Sequence, residues 1–392
     1  MSSAILVHVV LDRNDITIQD KINEAYELLS THGSKIIHTY IVKCREINSA
    51  TLIGTGKVEE ISDFLQDIDN AKVDIVVINC TVPPIQQRNL EKAWKRRVVD
   101  RVALIIDIFA KRARTLEGRL QVDLAKAIYQ KSMLVKMWSH LERQRGAVSF
   151  VGGPGEKQIE LDRRLLDGQI VRLRQKLDKV KRTRALQRNR RVRNNNFVIG
   201  LIGYTNAGKS SLFNLLTLGK NNIDHSSKKV LVDNQLFATL DPTVHTLKTD
   251  LYQYHNIEHT QEHYPNVGNI LISDTVGFIS DLPPQLIEAF SATLEEMRSA
   301  DLLLHVQDAT CVNWRNKASE VFKILQKIGA TQRIISVYNK IDLFDDVKSC
   351  PSFLYNGEDT TIFTSVKNGY GMDNLLKTIN MCALSFYNPK ID

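Results

Sequence analysis

Cysteine is sparse in this 392-residue chain: Cys44, Cys80, Cys311, Cys350 and Cys382 are scattered, odd in number and free of C-x-x-C spacing. That excludes a disulfide framework and a cysteine-built metal site, and it suits a reducing compartment. Long apolar runs are missing too, since none reaches the roughly 18 residues that a membrane span requires. The N-terminus has neither a charged-then-apolar signal nor an Arg/Ser-rich transit segment. The expectation is a soluble, cytoplasmic protein. Aromatic residues are absent between Phe150 and Phe197, and from Arg163 to Arg193 only Asp167 and Asp178 oppose the basic residues.

What is present is otherwise ordinary: 43% apolar and 24% charged residues, a formal net charge of +8, and length enough for two or three domains. In residues 1–113, apolar strand patterns (Ile5 to Val10, Lys35 to Cys44, Val73 to Asn79, Val99 to Ile108) alternate with helical ones (Ile16 to Leu29, Lys57 to Leu65, Gln86 to Trp94). This predicts a small open α/β sheet with parallel pairs. The turn Gly54-Thr55-Gly56-Lys57 has glycines and a lysine but neither phosphate-loop nor dinucleotide spacing, so it reads first as a tight turn into a helix.

Residues 114–194 change character. Leu120, Leu124 and Ala127 recur at helical spacing, and Leu166, Ile170, Leu173, Leu177 and Val180 repeat as a coiled-coil seam. Two such helices predict an antiparallel hairpin, broken at Gly146 to Glu156, with Gly152 to Gly155 displayed at its tip. The single-sign run Arg163, Arg164, Arg172, Arg174, Lys176, Lys179, Lys181, Arg182, Arg184, Arg188, Arg190, Arg191 and Arg193 fits a nucleic-acid backbone. With no aromatics among them, structured nucleic acid suits better than single strands. Pairing of these cations with acidic residues elsewhere in the fold is the alternative.

Residues 195–392 carry the sharpest pattern. The apolar run Phe197 to Ile202 leads into Gly203-Tyr204-Thr205-Asn206-Ala207-Gly208-Lys209-Ser210-Ser211 and then an amphipathic helix. That is a phosphate loop in its proper context: backbone N–H groups face phosphate oxygens, Lys209 reaches the β- and γ-phosphates, and Ser210 ligates Mg²⁺. Asp274-Thr275-Val276-Gly277 follows a strand pattern, its carboxylate placed to hold Mg²⁺ through water and the Gly277 N–H to meet the γ-phosphate. Asn339-Lys340-Ile341-Asp342 ends another strand pattern. The Asp342 carboxylate can accept from both guanine N1–H and the exocyclic amine, which adenine does not offer; this opposes a metabolic ATP-using kinase. Ser365, Val366 and Lys367 form the last base-contacting loop. The segment that senses the γ-phosphate is sought in Leu236-Phe237-Ala238-Thr239-Leu240-Asp241-Pro242-Thr243, with Thr239 first choice as Mg²⁺ ligand and Thr243 the alternative. Phe278 stands where many GTPases carry a water-orienting glutamine, so hydrolysis of GTP should be slow without a partner. His255, His259 and His263 are spaced for a metal on a helix, but their polar surroundings read as an exposed hairpin loop, with strand patterns at Leu247 to Tyr252 and Asn269 to Ser273 on either side.

The combination resembles the HflX family of ribosome-associated GTPases. The likeness rests on L-I-G-T-G-K-V-E-E-I at Leu52, D-I-F-A-K-R-A-R-T-L-E-G-R-L at Asp107, G-G-P-G-E-K-Q-I-E-L-D-R-R at Gly152, the phosphate loop, L-F-A-T-L-D-P-T at Leu236, D-T-V-G-F at Asp274 and A-F-S-A-T-L-E at Ala289. It implies three parts: an N-terminal α/β domain, a helical hairpin arm and a Ras-like P-loop GTPase domain. It further implies a monomeric partner of the large ribosomal subunit, whose arm tip approaches the peptidyl-transferase centre and which splits stalled ribosomes; an assembly factor acting on ribosomal RNA without splitting is the alternative. By resemblance Ser210 and Thr239 ligate Mg²⁺, and Gly54 to Lys57 carries a hint of a second ATP or GTP site. Two positions depart from the family pattern: His245 replaces arginine and Val366 replaces alanine.

Overall fold

The computed structural model describes residues 2–11, 17–67, 73–144, 154–218, 236–237, 243–247, 269–280, 286, 291–344, 353–356 and 359–387. The chain divides into two compact units, Met1–Lys179 with Pro283–Ala289, and Val180–Leu282 with Phe290–Asp392.

In the first unit β1 (Ser2–Val10), β2 (Ser34–Lys43), β3 (Ile75–Ile78) and β4 (Arg97–Asp100) form a parallel sheet ordered β2-β1-β3-β4. The central strand β3 is buried throughout, whereas the edge strand β2 mixes buried and exposed positions. Helices α1 (Ile18–His32), α2 (Thr55–Asp67) and α3 (Pro84–Trp94) connect the strands. Gly33 ends α1 in the left-handed region, at φ 82°, its N–H bonding to the Leu29 and Ser30 carbonyls. Ile5, Val7, Ile53, Ile61, Val76, Ile78, Leu90 and Trp94 share one core, and Trp94 Nε1 donates to Val58 O at 3.1 Å.

The strand expected over Val99 to Ile108 is a correction. Only Val99 and Asp100 are extended; Arg101–Arg112 is a helix, α4. Asp100 starts it as an N-cap, accepting from Ala103 N at 2.8 Å. A run of Val, Leu and Ile suits a buried strand or a buried helix equally, so the cap decides.

Helices α5 (Leu116–Gln144) and α6 (Pro154–Arg193) follow. Leu120, Leu124 and Ala127 of α5 are buried, as are Ile170, Leu173 and Leu177 of α6. Lys131 of α5 pairs with Asp167 of α6 at 2.5 Å. Because α6 begins at Pro154, Pro154, Gly155 and Glu156 belong to its first turn rather than to the loop before it. Gly152 and Gly153 lie outside the described residues.

The second unit is a sheet ordered β10-β11-β9-β8-β5-β7-β6. Its strands are β5 (Phe197–Ile202), β6 (Thr243–Thr246), β7 (Ile270–Asp274), β8 (Leu302–Asp308), β9 (Arg333–Asn339), β10 (Phe353–Asn356) and β11 (Asp359–Phe363). All pairings are parallel except β6 on β7 and β10 on β11, at the two edges. The helices are α7 (Lys209–Leu218), α8 (Ser291–Arg298), α9 (Trp314–Ile328) and α10 (Met372–Tyr387). Of the strand expected at Leu247 to Tyr252 only Leu247 is described, buried just past the end of β6, and the rest lies outside the described residues. Ile199, Leu201, Leu212, Phe213, Leu304, Val337, Ile362 and Leu375 are among the residues of the core.

Candidate nucleotide-binding site

Strand β5 has β8 on one side and β7 on the other, so the chain leaves its C-terminal end at a point where the strand order reverses. Such a point leaves a crevice between the connecting loops. The phosphate loop occupies it, and its glycines are required by contact. A Cβ on Gly203, at φ 142°, would lie 2.1 Å from Val306 O, and one on Gly208, at φ 96°, would lie 2.2 Å from Asn339 Nδ2. Asn206 is also left-handed, at φ 62°.

Lys209 is buried and donates to Gly203 O at 3.0 Å and Tyr204 O at 2.5 Å. Burial lowers its pKa to about 8, with Asp274 acting in the opposite sense. The Ser210 hydroxyl donates to Asp274 Oδ2 at 2.8 Å. A hydroxyl beside a buried carboxylate is an all-oxygen, hard donor set, which fits Mg²⁺. Thr275 Oγ1 donates to Leu201 O at 2.5 Å, fastening the D-x-x-G turn to β5. A Cβ on Gly277 would stand 2.8 Å from Lys209 Nζ, so this turn lies directly against the lysine.

Phe278 is buried. Its N–H donates to Gly203 O at 3.0 Å and its carbonyl accepts from Thr205 N at 2.8 Å, a bridge between the two loops. The Tyr204 hydroxyl reaches Ser280 Oγ at 3.1 Å and also donates to Glu320 of α9. Sequence reading missed that link, which only tertiary contact reveals.

Asn339 ties the base-side loops together: Nδ2 donates to Ala207 O at 3.1 Å and Oδ1 accepts from Val366 N at 3.1 Å. Asp342 Oδ1 accepts from Ser365 Oγ at 2.6 Å. Ile341 is fully buried, Lys367 is exposed, and Lys340 is left-handed at φ 66° with its ammonium 2.8 Å from Asp308. Val366 packs against the hydrophobic core, which takes up the bulk that distinguishes it from alanine. His245 sits on β6 with its ring edge to Phe213, 5.4 Å between centroids. Ser211 and Val276 are half-buried, and Phe237 is buried at φ 56°. Ala238, Thr239, Leu240 and Asp241 lie outside the described residues, as do His255, His259 and His263.

The basic run on α6 divides. Arg163, Arg164, Arg172, Arg174, Lys176, Lys179, Arg182, Arg190 and Arg193 are exposed. In the second unit Lys181 and Arg188 instead pair with Glu295 of α8 at 3.2 and 3.7 Å, and Arg191 holds both carboxylate oxygens of the buried Glu296 at 3.2 Å. Acidic partners within the fold therefore account for these three cations, and Glu160, one turn earlier on α6, also meets the exposed Arg163 and Arg164 at 3.9 and 2.9 Å. The turn at Gly54 to Lys57 differs: Lys57 pairs with Glu60 at 2.6 Å, and no atom lies within 4 Å of where a Cβ on Gly54 or Gly56 would stand. A cavity of about 540 Å³ in the first unit is lined by Arg88, Arg97, Val98, Tyr129 and Leu166 among others, and by none of that turn.

Three family models match in succession: a GTP-binding GTPase N-terminal region at 19–110, a GTP-binding GTPase middle region at 112–191 and a 50S ribosome-binding GTPase at 198–340. A GTPase HflX of Magnetococcus marinus is 44% identical over 362 residues, 92% of this chain and 77% of that protein. The chain belongs to the HflX GTPase family. HflX GTPases of Caldanaerobacter subterraneus and Escherichia coli are 40% and 36% identical over 377 residues, each covering 96% of this chain and 79% and 82% of the relative. A crystal structure titled as a complex of SsGBP and GDP shares the fold, at TM-score 0.51 and 22% identity over 99% of this chain and all of that one. This HflX protein is accordingly a P-loop GTP hydrolase with an α/β fold, and among the described residues no helix is long and apolar enough to cross a membrane.

Proposed function

We propose that this HflX protein is a cytoplasmic factor that binds the large ribosomal subunit as a monomer and splits stalled ribosomes, using GTP hydrolysis for release. The observation that carries this reading is the exposed cationic face of α6, joined in one chain to a GTPase unit whose family model is described as 50S ribosome-binding. The exposed cations would track ribosomal RNA phosphates, and the Gly152 to Gly155 tip would reach into the subunit.

At the nucleotide, the N–H groups of Gly203 to Ser211 would cradle the phosphates. Lys209, with two ammonium protons already on loop carbonyls, directs the third at the β- and γ-phosphates. Ser210 and Thr239 would hold Mg²⁺, with Asp274 behind Ser210. Bound there, Mg²⁺ neutralises charge that develops on the phosphate oxygens. Gly277, with no side chain to displace Lys209, presents its N–H to the γ-phosphate. Asp342 reads the guanine edge, supported by Ser365, while Asn339 fixes Ala207 and Val366 around it. Phe278 brings no group to orient water, so the ribosome would raise the rate by ordering the site.

Sedimentation of assembled ribosomes with the protein and a non-hydrolysable GTP analogue tests the reading. Free subunits are expected. Unchanged monosomes, with binding only to free large subunits, would instead indicate an assembly factor, and GTPase rates equal with and without ribosomes would remove the proposed stimulation. A second ATP or GTP site at Gly54 to Lys57 would require Lys57 to leave Glu60. Equilibrium dialysis against ATP with saturating GDP decides it: one equivalent supports the site and none removes it.

A further inference from the structure

Strand β8 ends on a carboxylate, Asp308, that lies outside the N-K-x-D motif. β8 and β9 pair in parallel register, with Asp308 opposite Asn339, and Ala309 N donates to Asn339 O at 2.9 Å. The end of β8 is thereby closed against the start of the N-K-x-D loop. Asp308 is fixed by its own turn: Oδ1 accepts from Thr310 N at 3.0 Å and from Thr310 Oγ1 at 2.6 Å. Its other oxygen, Oδ2, is left aimed at Lys340 Nζ, 2.8 Å away, with both side chains roughly a quarter exposed.

Lys340 is therefore held at both ends. Its backbone sits in the left-handed region that a residue with a Cβ rarely adopts, and its ammonium is on Asp308. Between these two anchors lie four methylenes, and a long apolar stem ending in a solvated charge is suited to covering a flat ring. A free lysine stem samples many rotamers and must be ordered when the base arrives; a stem already tethered loses less on binding. Burial pushes the Asp308 carboxyl up, but hydrogen bonds from Lys340 and Thr310, together with the lysine charge, bring it below its usual value. The charged form of Asp308 is thereby favoured.

We propose that Asp308 is a positioning residue for guanine recognition, tethering Lys340 so that its stem is laid out as a wall of the base pocket before nucleotide binds. This inference concerns nucleotide affinity alone and does not rest on the ribosome reading.

Release of a fluorescent GDP analogue from the full-length protein, followed by stopped flow, is the test. Asp308→Asn should accelerate release about three- to tenfold, the cost of ordering one long side chain. Lys340→Met, which keeps the stem and the Asp308 turn but removes the tether, should give a similar acceleration. In the Lys340→Met background Asp308→Asn should add less than about 1.5-fold, because contacting partners are not additive. Thr310→Val, which leaves the Lys340 pair in place, should have the smaller effect. Unchanged release in Asp308→Asn would overturn the proposal. So would a full additional acceleration in the double variant, because Asp308 would then act through the fold. If Asp308→Asn does not fold, wild-type release from Lys340→Met overturns it equally.

Discussion

Two helices in this chain begin on glycine and lysine, α2 at Thr55-Gly56-Lys57 and α7 at Gly208-Lys209, and they are physically unlike. At α7 the backbone of β8 and the side chain of Asn339 stand where a Cβ on Gly203 or Gly208 would go, and Lys209 is buried on two carbonyls. At α2 nothing lies near the glycines, and Lys57 pairs with Glu60 on the surface. The same residue types give a phosphate site only where the strand order reverses and neighbouring loops close in on the backbone. Replacing a glycine on each side should separate them most. Gly208→Ala must displace Asn339 as well as strain its own φ, so GDP affinity measured by calorimetry should fall at least about 100-fold, or about 2.7 kcal/mol. Gly54→Ala should leave GDP affinity unchanged, and a comparable loss there would erase the distinction.

Ion pairs sharpen the contrast at the next level of effect. Glu296 is buried with Arg191 across both of its oxygens, and Glu295 meets Lys181 and Arg188. Glu296→Gln leaves a desolvated guanidinium short of its charge partner and should cost about 2 kcal/mol in denaturant unfolding. Glu60→Gln, which breaks the surface pair at Lys57, should change stability by less than about 0.5 kcal/mol. Equal costs would mean that burial does not set the difference.

Much of this was legible in the sequence, because motifs that bind phosphate and guanine act through short, fixed spacings. The loop Gly203 to Ser211, the D-x-x-G turn and Asn339 to Asp342 can be read from residue order, and the structure brings them to one end of one sheet. The helix α4 was not legible by periodicity, since Val102 to Phe109 is apolar at nearly every position; Asp100, a capping residue before the run, was the available signal. Tyr204 with Glu320, Asp308 with Lys340 and Arg191 with Glu296 could not be read at all. Each joins residues far apart in sequence, and only the register of β8 beside β5 and β9, or the packing of α8 on α6, brings them together.

The buried lysine also gives the nucleotide site a pH dependence. Burial lowers Lys209 from 10.5 to about 8, so between those values the unfolded chain holds more protons than the folded one. Stability of the nucleotide-free protein should therefore rise with pH through that window, with no such change below pH 8, where both forms are protonated. Phosphate binding needs the ammonium, so affinity moves the other way. GDP should bind about fourfold more weakly at pH 8.5 than at pH 7, a difference set by the fraction of Lys209 that has lost its proton. A flat titration over this range would mean that the ammonium is better solvated than its burial indicates.

The smallest effect bears on the weaker of the two turns. Gly56 lies inside α2 with no left-handed φ and open space beside it, so neither backbone nor packing demands glycine. Gly56→Ala should raise stability by about 0.5 kcal/mol, because alanine loses less conformational freedom on entering a helix. Calorimetric melting together with ATP dialysis separates the two possible reasons for a glycine there. A more stable protein with unchanged ATP binding means the glycine serves no ligand. A more stable protein that has lost ATP binding means the open space is kept for an anion approaching the backbone, and the two turns would then differ in ligand rather than in kind.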